Sequence, residues 1–202
     1  MKIIMKMRAL RNNINSKHII NKSVRAGYEE LGIEGYYKAH SEDYSNPHIK
    51  EIEYLLKQEI HKSYFGTDIL DLCCGGGEVT NILKEYEEIR KYNIEGLDPY
   101  TAPAYKKNTG KDCLIYDFKD IVQGALENKK YHTIISSFAM HLCDESMLNS
   151  LLYQLSLITN TLVIITPHKR PEIKNWWEEV EKIKYNGITL KVYRNLNMEN
   201  KK

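Results

Sequence analysis

The stretch Asp68-Ile-Leu-Asp-Leu-Cys-Cys-Gly-Gly-Gly-Glu78 decides the fold, because an apolar run that carries one acid, Asp71, ends in three glycines. A helical pattern follows at once, with Val79, Ile82 and Leu83 on one face. This order predicts a buried strand, a tight turn and a helix N-terminus. Glycines allow positive φ and the close approach of a ligand, and a helix N-terminus presents free N–H groups. We therefore expect the turn to hold a polar small molecule, and the acid argues against a bare phosphate.

Strand and helix patterns alternate on both sides of this turn. The predicted strands cover residues 68–72, 93–98, 113–116, 131–137, 161–166 and 188–192. The predicted helices cover residues 46–62, 78–90, 118–128, 144–158 and 171–183. The alternation predicts an α/β fold with a three-layer α/β/α, doubly wound and mainly parallel sheet. Ligands of such sheets bind beyond the carboxyl ends of the strands, so functional side chains are expected directly after each strand.

The composition is that of an ordinary globular chain. Its 202 residues are 42% hydrophobic and 28% charged, and no apolar run approaches the roughly 18–20 residues that span a bilayer. The four cysteines are too few for a disulfide scaffold and are expected to be free thiols, as in the reducing cytoplasm. No CxxC pair or Cys/His cluster is present, so no metal site is predicted.

The charge is unevenly distributed along the chain. Residues 1–28 contain seven Lys or Arg and no acid, which leaves 22 basic and 27 acidic side chains, a balance of −5, in the other 174 residues. Three interpretations of the basic stretch stay open. It could direct import into an organelle, bind RNA or another polyanion, or form a solvated helix that covers one edge of the domain.

A second acid lies where a ribose-binding group is expected. Asp98 ends the second predicted strand, 21 residues after Gly77, and an acid at this distance from a glycine-rich turn is placed to accept hydrogen bonds from ribose hydroxyls. The alternative is a turn residue, because Asp98-Pro99 is a turn dipeptide. The turn itself contains neither G-x-G-x-x-G nor the Gly-Lys-Ser/Thr of a phosphate loop.

The sequence Asp71-Leu-Cys-Cys-Gly-Gly-Gly77 resembles the first motif of the class I S-adenosylmethionine-dependent methyltransferases, commonly Asp-Leu-Gly-Cys-Gly-x-Gly, with Cys73 in place of the first glycine. The resemblance covers most of residues 46–194. It continues in the segments Ile94-Glu-Gly-Leu-Asp98, Tyr116-Asp-Phe118 and Ser136-Ser-Phe-Ala-Met-His141. It implies a methyltransferase with S-adenosylmethionine as cofactor.

The resemblance also implies a role for each cofactor-site residue. The methionine part of the cofactor would meet Asp71, Cys73, Gly75 and Gly77. The ribose would be held by Asp98 with Pro99, and the adenine by the Asp117 carboxylate and the Phe118 backbone N–H. Ser137 and Phe138 would belong to the cofactor site, and Phe138 with Ala139 would line the methyl-transfer channel. For Asp117, a helix N-cap is an equally good interpretation from the sequence alone.

On the acceptor side, His141 and His168 follow the fourth and fifth predicted strands, and either could remove an acceptor proton or only shape the pocket. Tyr44 belongs to a segment that often folds over the cofactor in this family, and it is a third candidate. The acceptor is expected to be a small molecule. The alternatives are RNA or a protein gripped by residues 1–28, or a non-catalytic binding module that keeps the fold.

The predicted domain division follows from these assignments. Residues 1–45 are expected to form the basic arm and a segment that covers the cofactor, and residues 46–202 the methyltransferase domain, opened by Asn46 as helix N-cap with Pro47 at the first helical position. The class I sheet usually ends in a seventh, antiparallel strand. With a helix at 171–183, too little chain follows residue 192, so this strand is expected to be short or missing.

Overall fold

The structure, a computed structural model, describes residues 24–88 and 90–197. The chain divides into two compact units, Met1–Ser41 and Glu42–Lys202. Most of the basic stretch, residues 1–23, lies outside the described residues, so its three interpretations stay predictions. The division at residues 45 and 46 also stays a prediction.

The described part of the first unit is one interrupted helix, α1 (Val24–Ala39). Gly32 interrupts it with φ 70° and ψ 169°, values that lie outside the helical region. The second half folds back, since the Tyr36 ring lies against Gly27. Tyr36 also packs on the His40 ring, with centroids 4.6 Å apart.

The second unit contains a seven-stranded sheet with helices on both faces. Its strands are β1 (Asp68–Leu72), β2 (Asn93–Leu97), β3 (Cys113–Leu114), β4 (Tyr131–Ser137), β5 (Thr159–Thr166), β6 (Trp177–Tyr185) and β7 (Ile188–Asn195). Its helices are α2 (Ile49–Glu59), α3 (Glu78–Lys84), α4 (Ala102–Thr109), α5 (Phe118–Val122) and α6 (Glu145–Ile158), with a short 3-10 helix at Met140–Leu142. The strand order is β3-β2-β1-β4-β5-β7-β6. The first five strands are parallel, and β7 runs antiparallel to both of its neighbours.

The core lies in two layers, one on each face of the sheet. Adjacent residues of β1 show the division, because Ile69 packs with α2 and α3 whereas Leu70 packs with α6. Strands buried on both faces read as continuous apolar runs, and burying each such side chain contributes about 1.5–3 kcal/mol. The predicted α/β fold class, with its doubly wound and mainly parallel sheet, is confirmed.

The prediction of a helix at 171–183 is wrong. The segment from Trp177 forms β6, and Asn186-Gly187, with φ values of 46° and 82°, turns it into β7. Such Asn-Gly turns match the twist of a two-stranded hairpin. The sheet therefore has its seventh strand, and the expectation of a short or missing one is also wrong. β6 lies at the edge of the sheet, and its acids and lysines oppose pairing of that edge with another chain.

The helix ends differ from the predictions in smaller ways. The first helix of the sheet unit begins at Ile49, with His48 as its N-cap residue, because the Asn46 Oδ1 atom accepts the His48 N–H at 2.9 Å and closes the preceding turn. The predicted helices at 78–90 and 118–128 end at Lys84 and Val122. None of the helices in the described residues has the length and apolar character needed to cross a membrane.

Candidate functional site

The glycine turn joins β1 to α3 as the sequence predicts. Gly75 and Gly77 adopt φ values of 55° and 88°, conformations that glycine reaches without steric cost. The Cys74 N–H donates to the Leu97 carbonyl oxygen at 3.0 Å, which fixes the turn to the end of β2. The turn lies at the carboxyl ends of the parallel strands, where ligands of such sheets bind.

Cys73 stands in the same turn with φ 57°. This left-handed backbone explains why glycine suits the position and why a cysteine there is strained. Its side chain is partly buried, and desolvation raises the pKa of Cys73 well above its ordinary value, with the charges of Asp98 and Asp71 adding to the effect. The thiol is therefore an unreactive filler of the turn at neutral pH.

The Cys73→Gly variant is expected to be more stable than the Cys73→Ala variant, whereas alanine is usually the more stabilising of the two residues. Both variants lose the thiol, so the difference between them isolates the left-handed backbone. Cys73→Gly should have the higher free energy of unfolding by about 1 kcal/mol, as measured by denaturant titration. At Cys74, which lies outside the left-handed region, the Ala variant should be the more stable. A more stable Ala variant at Cys73 would contradict the assignment of strain.

Asp71 lies at the tip of β1 and is almost fully buried, with 1% of its surface exposed. Its Oδ2 atom accepts hydrogen bonds from the Thr80 backbone N–H at 3.2 Å and from the Thr80 hydroxyl at 2.8 Å, which ties β1 to α3. Burial, together with the nearby charges of Glu78 and Asp98, raises the pKa of Asp71 from 3.8 to about 8, although the hydrogen bonds from Thr80 act in the opposite direction. The side chain is therefore largely protonated at neutral pH unless a positive charge lies beside it.

Asp98 links the tip of β2 to the glycine turn. Its Oδ2 atom accepts the Gly75 N–H at 3.1 Å, and its Oδ1 atom accepts the N–H groups of Tyr100 and Thr101, each at 2.9 Å. Asp98 is thus the turn residue that the sequence offered as an alternative, and Pro99 lies inside this turn. The carboxylate also lies against the glycine turn, as the ribose role requires, and that role stays a prediction.

Glu78 is a buried acid beside the glycine turn that sequence reasoning missed. It is the first residue of α3, it is 8% exposed, and its Oε1 atom accepts the Asn46 N–H at 2.6 Å. Burial raises its pKa above the ordinary value, whereas hydrogen bonds, that of the Asn46 N–H foremost, lower it. The available signal was an acid placed directly after three glycines.

Tyr44 lies on the glycine turn. A Cβ atom added to Gly75 would lie 2.7 Å from the Tyr44 Cε1 atom, and one added to Gly76 would lie 2.5 Å from the Tyr44 carbonyl oxygen. The ring and the backbone of Tyr44 therefore contact the turn directly. Its role in catalysis or in closing the site stays a prediction.

Asp117 is the N-cap of α5. Its Oδ1 atom accepts the N–H groups of Lys119 at 2.7 Å and Asp120 at 2.9 Å, while the Asp120 carboxylate accepts the Asp117 N–H. This capping box satisfies the start of the helix and does not use the Phe118 N–H. The N-cap interpretation of Asp117 is confirmed, and the adenine-binding role of both residues stays a prediction.

The end of β4 is strained and leaves polar groups unsatisfied. Phe138 adopts φ 57° and donates its backbone N–H to the Ile165 carbonyl oxygen at 2.8 Å. Its ring stacks on His48, with centroids 5.1 Å apart. The hydroxyl oxygens of Ser136 and Ser137 are buried without a hydrogen-bond partner among the described residues. Strained backbone and unsatisfied polar groups concentrate at functional sites.

His141 and His168 come together beyond β4 and β5. Their ring centroids lie 4.2 Å apart. His141 is half-buried, and desolvation, followed by the charge of His168, lowers its pKa from 6.5 to about 4. The Nδ1 atom of His141 is buried and has no hydrogen-bond partner in the described part of the chain. His141 is thus a neutral imidazole whose Nδ1 atom has no partner in the described residues, and it lies beside the exposed imidazole of His168.

No family model matches the chain. The uncharacterized protein C17A5.05c of Schizosaccharomyces pombe is 33% identical, over 77% of this chain and 78% of the yeast protein. An identity of this size over most of both chains shows common descent, and the two proteins form one family.

Solved structures share the fold at low sequence identity. An O-methyltransferase family protein from Burkholderia thailandensis has a TM-score of 0.59 at 12% identity, over 94% of this chain and 70% of its own. The rRNA methyltransferase AviRa from Streptomyces viridochromogenes has a TM-score of 0.54 at 11% identity, over 77% and 90%. Magnesium protoporphyrin IX methyltransferase from Synechocystis, with bound SAM, has a TM-score of 0.50 at 13% identity, over 73% and 77%. The chain therefore belongs to the family of the yeast protein and has the fold of the class I S-adenosylmethionine-dependent methyltransferases.

Proposed function

We propose that this protein is a methyltransferase that takes S-adenosylmethionine as methyl donor and a small molecule as acceptor. One observation carries the choice of donor. Three buried carboxyl groups, those of Asp71, Glu78 and Asp98, surround the glycine turn, and none forms an ion pair within the described residues. Taking a carboxylate out of water without a partner costs several kcal/mol, so the site favours a positively charged ligand.

S-adenosylmethionine meets this requirement, because it carries a sulfonium and an ammonium group. A dinucleotide or a nucleoside triphosphate would bring phosphate charges toward the same acids and be repelled. The raised pKa of Asp71, about 8, reflects the same resistance to negative charge. Asp98 would hold the ribose, and the Phe118 N–H, which the capping box leaves unused, would face the adenine ring.

The bound cofactor supplies a methyl group on a positively charged sulfur, which is reactive without further activation. The residues of this chain then orient the acceptor and exclude water. His141 is neutral near pH 7, so its imidazole can accept a hydrogen bond or a proton from the acceptor. His168, whose ring centroid lies 4.2 Å from that of His141, is exposed.

The charge of the chain favours a small acceptor over a polyanion. Residues 29–202 carry a balance of −5, and the glycine turn adds buried acids to the site itself. A nucleic acid would therefore depend on the basic stretch at residues 1–28. An RNA acceptor gripped by that stretch is the second candidate, and AviRa, by its name an rRNA methyltransferase, shares the fold.

The proposal is tested by titration calorimetry on the intact chain and on a variant that lacks residues 1–28. Both should bind S-adenosylmethionine with one site per chain, and neither should bind NAD or ATP. The same preparations titrated with total RNA should show no binding that depends on residues 1–28. RNA binding that disappears with those residues would favour the RNA acceptor. Absence of S-adenosylmethionine binding by the intact chain would refute the donor assignment.

A further inference from the structure

We propose that Glu78 is a positioning residue that fastens residues 44–46, the 44–46 segment, across the glycine turn and so closes the methionine end of the cofactor site. This inference rests on the proposed function for the identity of the ligand. The fastening itself concerns only contacts within the chain, so it can be tested separately.

The Glu78 carboxylate lies between the turn and the segment. Its Oε1 atom accepts the Asn46 N–H at 2.6 Å, and both residues are buried, at 8% and 7% exposure. A Cβ atom added to Gly76 would lie 3.0 Å from Oε1, and one added to Gly75 would lie 3.5 Å from Oε2. The carboxylate therefore fills the inner side of the turn and reaches across it to a segment 32 residues earlier in the chain.

The segment lies closer to the turn than a residue with a side chain would permit. The Tyr44 carbonyl oxygen is 2.5 Å from the position of a Cβ atom on Gly76, and the Tyr44 ring is 2.7 Å from that on Gly75. The glycines thus serve a second purpose beyond admitting a ligand, because they let the 44–46 segment lie on the turn. Tyr44 is thereby held over the position at which the methionine part of the cofactor is proposed to bind.

The bond that holds the segment is strong and local. A carboxylate that accepts a backbone N–H makes a shorter and stronger hydrogen bond than a neutral oxygen. Burial raises the pKa of Glu78, and the hydrogen bond from the Asn46 N–H is the largest influence that lowers it again. The carboxylate is thus stabilised as an anion mainly while the segment is in place. Loss of that contact should free the segment without removing any strand or helix from the core.

Hydrogen exchange at the Asn46 amide tests the fastening without any ligand. The amide should be protected in the wild-type chain, less protected in Glu78→Gln, and unprotected in Glu78→Ala. The matched control is Glu95→Ala, which removes a carboxylate bonded to Lys129 and Tyr131 on β2 and should leave the Asn46 amide protected. Equal exchange in the wild-type and Glu78→Ala chains would overturn the inference.

The dissociation rate of S-adenosylmethionine, measured by stopped flow, tests the closing role. Glu78→Ala and Tyr44→Ala should each speed dissociation about tenfold, and the double variant should be no faster than either single one, since both act through one segment. Glu78→Gln, which keeps an oxygen for the Asn46 N–H, should have a dissociation rate close to that of the wild-type chain. Additive effects, or an unchanged rate in Glu78→Ala, would overturn the closing role. A wild-type chain that binds no cofactor would instead refute the proposed function, whereas the exchange result would still decide the fastening.

Discussion

Asp98→Ala is expected to weaken binding of S-adenosylmethionine at least about 100-fold. If the carboxylate binds the ribose as proposed, the variant loses a charge-assisted hydrogen bond worth about 1.5–3 kcal/mol. It also frees the Gly75 N–H, which the Asp98 Oδ2 atom holds at 3.1 Å, and so loosens the turn that meets the rest of the cofactor. Titration calorimetry at constant pH measures the loss.

The control for Asp98→Ala is Asp68→Ala, at the opposite end of β1. Asp68 pairs with His132 at 2.9 Å and accepts from Asn93, so its removal also breaks local contacts, but far from the glycine turn. It should leave cofactor binding unchanged. If Asp98→Ala binds the cofactor as tightly as Asp68→Ala does, the ribose role of Asp98 is wrong and only its turn role remains.

Asp71→Asn is expected to make the chain more stable at pH 8 and to weaken its binding of the cofactor. The pKa of Asp71 is about 8 in the folded chain against an ordinary 3.8, so between these values the folded state binds more protons than the unfolded state. The free energy of unfolding therefore falls as pH rises through this window. An asparagine removes that dependence and keeps an oxygen for the Thr80 N–H and hydroxyl.

The size of the gain in the free energy of unfolding follows from the pKa shift of Asp71. One pKa unit corresponds to about 1.4 kcal/mol, so Asp71→Asn should gain at least about 2 kcal/mol at pH 8 and lose this advantage toward pH 4. Denaturant titrations at a series of pH values measure it. Calorimetry near pH 7 in buffers of different ionisation enthalpy should show proton release on cofactor binding to the wild-type chain and less release from the variant. A stability difference that does not change with pH would contradict the raised pKa.

The sequence predicted the centre of the sheet well and its last edge poorly. The turn after Asp71 and the apolar residues 134–135 and 162–165 indicate a parallel sheet, because such residues are buried on both faces. The segment from Trp177 was predicted as part of a helix at 171–183 and forms β6 instead. The decisive signal was Asn186-Gly187, a hairpin turn between two alternating runs, which assigns Trp177 and the residues after it to a strand.

At the site, residues that directly follow strands were predictable, and residues brought in across the fold were not. Asp71, Asp98 and the two histidines follow from the rule that ligands meet the carboxyl ends of parallel strands. The contact between Glu78 and Asn46 joins residues 32 positions apart, so the local sequence pattern could not predict it. The stack of His48 on Phe138 is of the same kind, because it depends on how α2 packs on the sheet.

The place of β7 has a consequence for how the sheet is completed during synthesis. β7 is paired with β5 on one side and with β6 on the other, and β6 has no other neighbour among the strands of residues 24–88 and 90–197. Until residue 195 has left the ribosome, the apolar edge of β5 is therefore open, and an open apolar edge is a template for aggregation. Since Asn186-Gly187 makes the β6–β7 hairpin local, the two strands can form together and close that edge in one step.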